Sequence, residues 1–122
     1  HRDLHSFPTR RSSDLFVDES ARYAWYMTNK NKRIQSQAFR FVNDKTLAST
    51  ARFVEIANKY GMSPVTLAVA WSMNFDFVAS TIIGARKLSQ LDESLKALEV
   101  KLSSEILEEI NKVHSEIMYP MG

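Results

Sequence analysis

The sequence has 122 residues, with 16 Lys plus Arg against 14 Asp plus Glu, a net charge of +2 and no cysteine. That length allows one domain at most. The missing sulfur excludes disulfide scaffolds, Cys-ligated zinc, iron–sulfur clusters and thiol nucleophiles, and so small a net charge does not argue for nucleic acid or an anionic membrane. With 44% hydrophobic and 25% charged residues an apolar core is expected, yet the longest apolar runs, around Val65 to Met73 and Phe77 to Ala85, fall well short of the ~20 residues of a membrane span.

Residues 1–15 have no apolar stretch long enough for a signal peptide and no helical or strand period. Arg2 to Leu15 resembles, without a gap, one translated frame of a common sequencing adapter, so a non-native tail is expected there. Without it, His114 is the only histidine. Residues 16–45 alternate polar and aromatic side chains around a basic knot at Lys30, Lys32 and Arg33, and the absence of a sustained period predicts an irregular loop segment.

From Thr46 onward Leu47, Ala51, Val54 and Ala57 repeat at helical spacing beside Phe53, Ile56 and Tyr60, which predicts a helix of about four turns. Gly61 fits a left-handed C-terminal cap, and Ser63-Pro64 supplies an N-cap hydroxyl and a first-turn proline for the next helix. That helix, Pro64 to about Met73, carries no charge and is apolar nearly all round, so burial on most sides is expected. Phe77 to Ile83 is a β-branched run ending at Gly84, the pattern of a strand buried on both faces of a parallel sheet. Leu88, Leu91, Leu95 and Leu98 then mark a short amphipathic helix. A last helix opens at Ser103, with Leu102 and Leu107 as a hydrophobic staple and a stripe of Ile106, Ile110, Val113 and Ile117. A single strand cannot satisfy its own backbone, so the chain reads as a piece of a larger α/β protein.

The run Ile56 to Leu67 has the spacing of a helix-turn-helix. Its second helix offers Val65, Thr66, Ala68 and Val69 where such a motif reads bases with Arg, Lys, Asn or Gln, so DNA recognition is set aside. Thr81 to Leu88 is more telling: a strand, a glycine turn with Arg86 and Lys87, and a helix start make an anion site, with backbone amides pointing at the ligand. Gln90, Glu93 and Ser94 lie one turn on, at helical spacings from one another. The competing reading makes Arg86 and Lys87 solvated loop cations and the three polar residues a plain exposed face.

Other candidates are weaker. His114 lacks a partner with metal-ligand spacing, and Glu108 and Glu109 point in different directions, as a solvated face. Trp25, Tyr23 and Tyr26 fit an aromatic loop over a pocket as well as a stacking surface. Ser80 and Thr81 have no histidine base.

Ile56 to Pro64, Leu67 to Trp71, Phe77 to Ala85 and Gln90 to Leu95 together resemble the C-terminal third of an aldo-keto reductase. The likeness runs over about residues 34–122, and a Tas-like bacterial branch shares the closing Glu109-Ile110, Val113-His114 and Tyr119-Pro120. It implies the C-terminal part of a (β/α)8 TIM barrel, mostly helical here with one barrel strand at about 77–83, and residues 46–122 as that portion of an NADP-dependent oxidoreductase. It implies NADP(H) as cofactor, a small-molecule aldehyde or ketone as substrate of the full-length parent, and a cytoplasmic setting. Gly84 and Arg86 match the turn that takes the cofactor 2′-phosphate, and Gln90 and Glu93 match adenosine contacts. Ser94 stands where the family has Asn, and Arg33 and Arg40 are candidates for further cofactor-binding cations. Nothing in the chain matches the family's catalytic Asp, Tyr, Lys and His, so no catalytic or metal residue is assigned and the fragment is expected to be inactive alone. The alternative is a non-enzymatic helical interaction module.

Overall fold

The computed structural model describes residues 22–120; the adapter-like tail expected over residues 1–15 lies outside the described residues. In chain order the elements are α1 (Arg22–Met27), α2 (Lys32–Phe41), α3 (Asp44–Lys59), α4 (Pro64–Met73), α5 (Leu88–Leu95), a 3-10 turn (Lys96–Glu99) and α6 (Ser104–Glu116). They fall into two compact units: one runs to Arg52 and resumes at Val113, and the other is Phe53–Lys112.

In the first unit the described part of the expected irregular segment is helical, which corrects that expectation. A six-residue helix such as α1 is not stable by propensity alone. It is tied to α2 by the Gln35 side-chain amide, which donates to the Met27 carbonyl at 2.9 Å. Asn31 caps α2 by accepting from the Arg33 N–H at 3.0 Å, and Ala38 and Val42 are buried. α2 also has a short apolar period, Ile34, Ala38 and Phe41 at i, i+4 and i+7, which the expectation of an aperiodic segment overlooks. Asn43 and Thr46 then cap α3 reciprocally, each side-chain oxygen accepting the other's N–H at 3.0 Å. Arg52 pairs with Glu116 at 2.5 Å, an exposed ion pair of the kind that adds about 0–1 kcal/mol.

In the second unit α3 ends as expected. Gly61 has φ +73°, the Met62 N–H donates to the Ala57 carbonyl at 3.0 Å, and the Gly61 N–H donates to the Asn58 carbonyl at 3.2 Å. This is a Schellman closure, which requires the left-handed residue that glycine adopts without a Cβ clash. Ser63 caps α4 by accepting from the Thr66 N–H at 3.0 Å, with Pro64 in the first turn. Burial of α4 on most sides is not observed: Thr66, Leu67 and Ala70 are buried, while Val65 is 41% exposed and Met73 is exposed as well. One apolar face is covered, and no described residue covers the other.

The strand expected at 77–83 is absent among the described residues. Phe77 lies in a turn closed by the Val78 N–H on the Phe75 carbonyl at 2.9 Å, stacked on Phe75 at 5.4 Å between centroids, and residues 78–85 carry no regular structure. Phe77 is 84% and Ile82 96% exposed. A strand exists only in a ladder, and no described segment lies alongside to complete one. The leucine stripe of α5 also differs from expectation. Leu88, Leu95 and Leu98 are exposed, and the buried positions are Ser94 and Ala97. In α6 Ile106, Ile110 and Val113 of the expected stripe are buried, with Leu102, while Ile117 lies past the end of the helix and is half-buried. Ser103 Oγ accepts from the Ile106 N–H at 3.3 Å at the helix start.

Candidate cofactor-binding site

Gly84 and Arg86 lie in the exposed segment leading into α5. A Cβ at Gly84 would meet nothing within 4 Å, and its φ lies outside the left-handed region. The backbone of this turn therefore does not itself demand a glycine; the position is open to close approach from outside. The local order comes from Gln90. Its side-chain oxygen accepts from the Arg86 N–H at 2.8 Å and from the Lys87 N–H at 3.1 Å. Lys87 precedes the first residue of α5 and its ammonium side chain can accept nothing, so Gln90 supplies the side-chain capping contact from within the helix. Both of these amides thus point at Gln90, and the amides of Leu88 and Ser89 head the helix. The two cationic side chains remain exposed beside them.

Glu93 is half-buried and Ser94 buried, so the three polar residues of α5 descend from solvent into the unit rather than sharing one exposed face. Thr66 Oγ1 donates to the Glu93 carbonyl at 2.7 Å. Ser94 lines a cleft of about 400 Å³ together with Val69, Met73, Thr81, Ile83 and Leu98. Thr81 Oγ1, from the cleft wall, lies 3.0 Å from Ser72 Oγ. Because the Ser72 proton is directed to the Val69 carbonyl at 2.8 Å, Thr81 is the donor of that pair. Two hydroxyl contacts from α4 thus hold the segment before Gly84 and the end of α5.

Arg33 and Arg40 are exposed on α2 in the other unit, the Arg40 guanidinium lying 5.7 Å from the Phe41 ring centroid. His114 is exposed on α6. Trp25 and Tyr26 pack edge to face at 5.2 Å. Among the described residues no three His, Asp or Glu side chains gather as a metal site, and no helix is long and apolar enough to cross a membrane.

The periodic reading placed Glu109 on a solvated face and missed its partners. Tyr60 donates its hydroxyl proton to Glu109, and Lys59 Nζ reaches both carboxylate oxygens at 3.2 Å. The hydrogen bond to Glu109 pushes the Tyr60 hydroxyl from 10.0 to about 12, with lesser contributions from burial and from the charges of Glu109 and Glu105. The same bond, followed by that from Lys59, holds Glu109 below the usual carboxylate range. The only hint in sequence is the Lys59-Tyr60 pair immediately before the capping glycine.

A model described as the aldo/keto reductase family matches residues 15–115. The protein tas of Escherichia coli (strain K12) is 35% identical over 85 residues, covering 70% of this chain and 25% of that protein. A putative voltage-gated potassium channel subunit beta of Schizosaccharomyces pombe is 41% identical over 61 residues, 48% of this chain and 18% of that one. A putative aryl-alcohol dehydrogenase of the same organism is 42% identical over 59 residues, 48% and 16% respectively. The chain spans about a quarter of the length of the first of these relatives and less of the others. With a family match over more than four-fifths of its length, this chain belongs to the aldo/keto reductase family.

Proposed function

We propose that the chain is the cofactor-binding C-terminal portion of an NADP(H)-dependent aldo-keto reductase, a cytoplasmic enzyme in its full-length form. Its parent is read as a (β/α)8 barrel in which 77–83 becomes the eighth strand. Neighbouring strands would then complete its ladder and cover Phe77, Ile82 and the outer face of α4. Residues 46–122 are the barrel portion, and residues 1–15 are read as a non-native tail. The short coverage of the relatives supports this reading, as does the apolar surface left open around α4.

The observation that carries the cofactor assignment is the Arg86–Gln90 arrangement. Two adjacent exposed cations head α5 on a turn fixed by Gln90, next to an open glycine. That arrangement fits a phosphate, since Arg86 offers a planar fork and Lys87 a point charge, with the helix start behind them. Arg86 would hold the 2′-phosphate and Gln90 and Glu93 the adenosine, while Ser94 at the buried end would contribute a hydroxyl. The bound cofactor supplies the hydride that passes between NADPH and an aldehyde or ketone; the residues of this chain bind and orient it. The family's catalytic residues are read as lying outside this chain, so the 122-residue chain is expected to show no NADPH-dependent carbonyl reduction.

Thermal melts test the reading. NADPH should raise the melting temperature of the chain more than NADH does, because a ligand that binds only the folded state stabilises it, and Arg86→Ala should remove that difference. Equal shifts with both cofactors, or turnover by the chain alone, would contradict the assignment. The exposed Phe77, Ile82, Leu88 and Leu98 favour a second reading, a helical interaction module. It requires a defined protein complex that forms without cofactor.

A further inference from the structure

We infer that Thr66 is a positioning residue for the cofactor-facing side of α5, an inference that rests on the reading of residues 84–94 as the cofactor site. A helix leaves its last four carbonyls without partners inside the helix. Glu93, third from the end of α5, is one of these, and its carbonyl accepts from Thr66 Oγ1 at 2.7 Å. Thr66 is only 2% exposed, so water is a poor substitute for that donor. At the other end of the exchange, the first-turn N–H of Thr66 in α4 is taken by Ser63 Oγ at 3.0 Å, and Ser63 Oγ donates to Thr66 Oγ1 at 2.9 Å. Each hydroxyl has one proton, so the direction of the relay is fixed: Ser63 to Thr66 to the Glu93 carbonyl.

This relay joins the start of α4 to the end of α5 through groups that both helices must satisfy somewhere. The bonded residue on α5, Glu93, is one of the two whose side chains are assigned to adenosine. Ser94 follows it, and Gln90, which sets the Arg86 turn, lies one turn earlier. A rotation of α5 about its axis breaks the Thr66 bond and moves Glu93 relative to Arg86. Thr66 touches no cofactor atom in this account; it fixes the angle at which α5 presents those that do.

The test uses the 122-residue chain and 2′,5′-ADP, a probe carrying the adenosine and 2′-phosphate without the nicotinamide. Thr66→Val keeps the shape and removes the hydroxyl, and it should raise the Kd about tenfold, the scale of one lost hydrogen bond. Thr66→Ser should restore wild-type affinity, and amide exchange should accelerate in residues 88–95 of Thr66→Val above any change elsewhere. A Thr66→Val chain that melts lower yet binds 2′,5′-ADP like wild type, while Arg86→Ala binds weakly, overturns the positioning role and leaves the site reading standing. Absence of saturable binding by the wild-type chain overturns the site reading and the inference with it. Should Thr66→Val fail to fold by circular dichroism, Ser63→Ala, which cuts the relay one bond earlier, is judged by the same criteria.

Discussion

The side-chain oxygen of Gln90 lies 2.8 Å from the backbone nitrogen of Arg86, and it takes the Lys87 amide as well. The turn that presents the two cations is therefore organised from one helical turn downstream, by a residue that is itself proposed to contact the cofactor. Gln90→Leu removes the acceptor and should lower stability by about 1 kcal/mol, the range of a lost N-terminal cap. It should also weaken NADPH binding. Gln90→Glu keeps the acceptor and adds a negative charge that favours the helix start but repels a phosphate. It should hold or raise the melting temperature while weakening NADPH binding, and paired melts and titrations on both variants check this.

The Tyr60–Glu109 bond predicts loss of stability at both ends of the pH scale. Tyr60 keeps its proton to a higher pH when folded, about 12 against 10.0. Its contribution is complete below 10.0 and is lost as pH rises through that interval, where the unfolded chain has already released its proton. Glu109 keeps its charge to a lower pH when folded. Its contribution is present above the usual carboxylate range and is lost as pH falls through and below it. Tyr60→Phe removes the phenol and the largest cause of the Glu109 shift. Melting temperature plotted against pH should then be lower at neutrality and flatter on both flanks; an unchanged profile would show the bond to be without consequence for folding.

Of the two described glycines, Gly61 is the one whose backbone demands its identity. A Cβ there meets nothing within 4 Å, but φ is +73°. Gly61→Ala should therefore cost about 1–2 kcal/mol through backbone strain alone. Gly84→Ala, in open space at an ordinary φ, should leave the melting temperature unchanged. Chemical denaturation of the two variants side by side separates the cases.

The sequence patterns predict core elements for both Ile110 and Ile82, yet Ile110 is buried and Ile82 is 96% exposed. Ile110→Ala should cost about 2–5 kcal/mol in this chain. Ile82→Ala should stay within about 0.5 kcal/mol. In a full-length parent enzyme, where the proposed barrel strand forms, Ile82→Ala should cost as much as a core truncation. Urea titrations of the variants in both lengths of chain measure the difference.

The local features were legible in the sequence because the interactions that make them lie within a few residues. The Gly61 closure, the Ser63-Pro64 start of α4 and the Ile106, Ile110 and Val113 stripe all follow from residues three to five apart. Helix α1 escaped because six residues are too few to show a period and a carboxamide bond from Gln35 to Met27 ties it down, whereas α2 carries a short period of Ile34, Ala38 and Phe41 that the polar and basic residues around it obscure. The candidate site was readable as a list of residues, Gly84, Arg86, Gln90, Glu93 and Ser94, on the strength of their order and of a family resemblance. Tertiary structure decided what that list could not: that Gln90 holds the Arg86 turn, that Ser94 is buried while Gln90 is exposed, and that Thr66, 27 residues away, anchors Glu93. It also decided that Phe77 to Ile83, for all its β-branched composition, forms no strand here. A helix closes its hydrogen bonds within its own residues, whereas a strand depends on a neighbour.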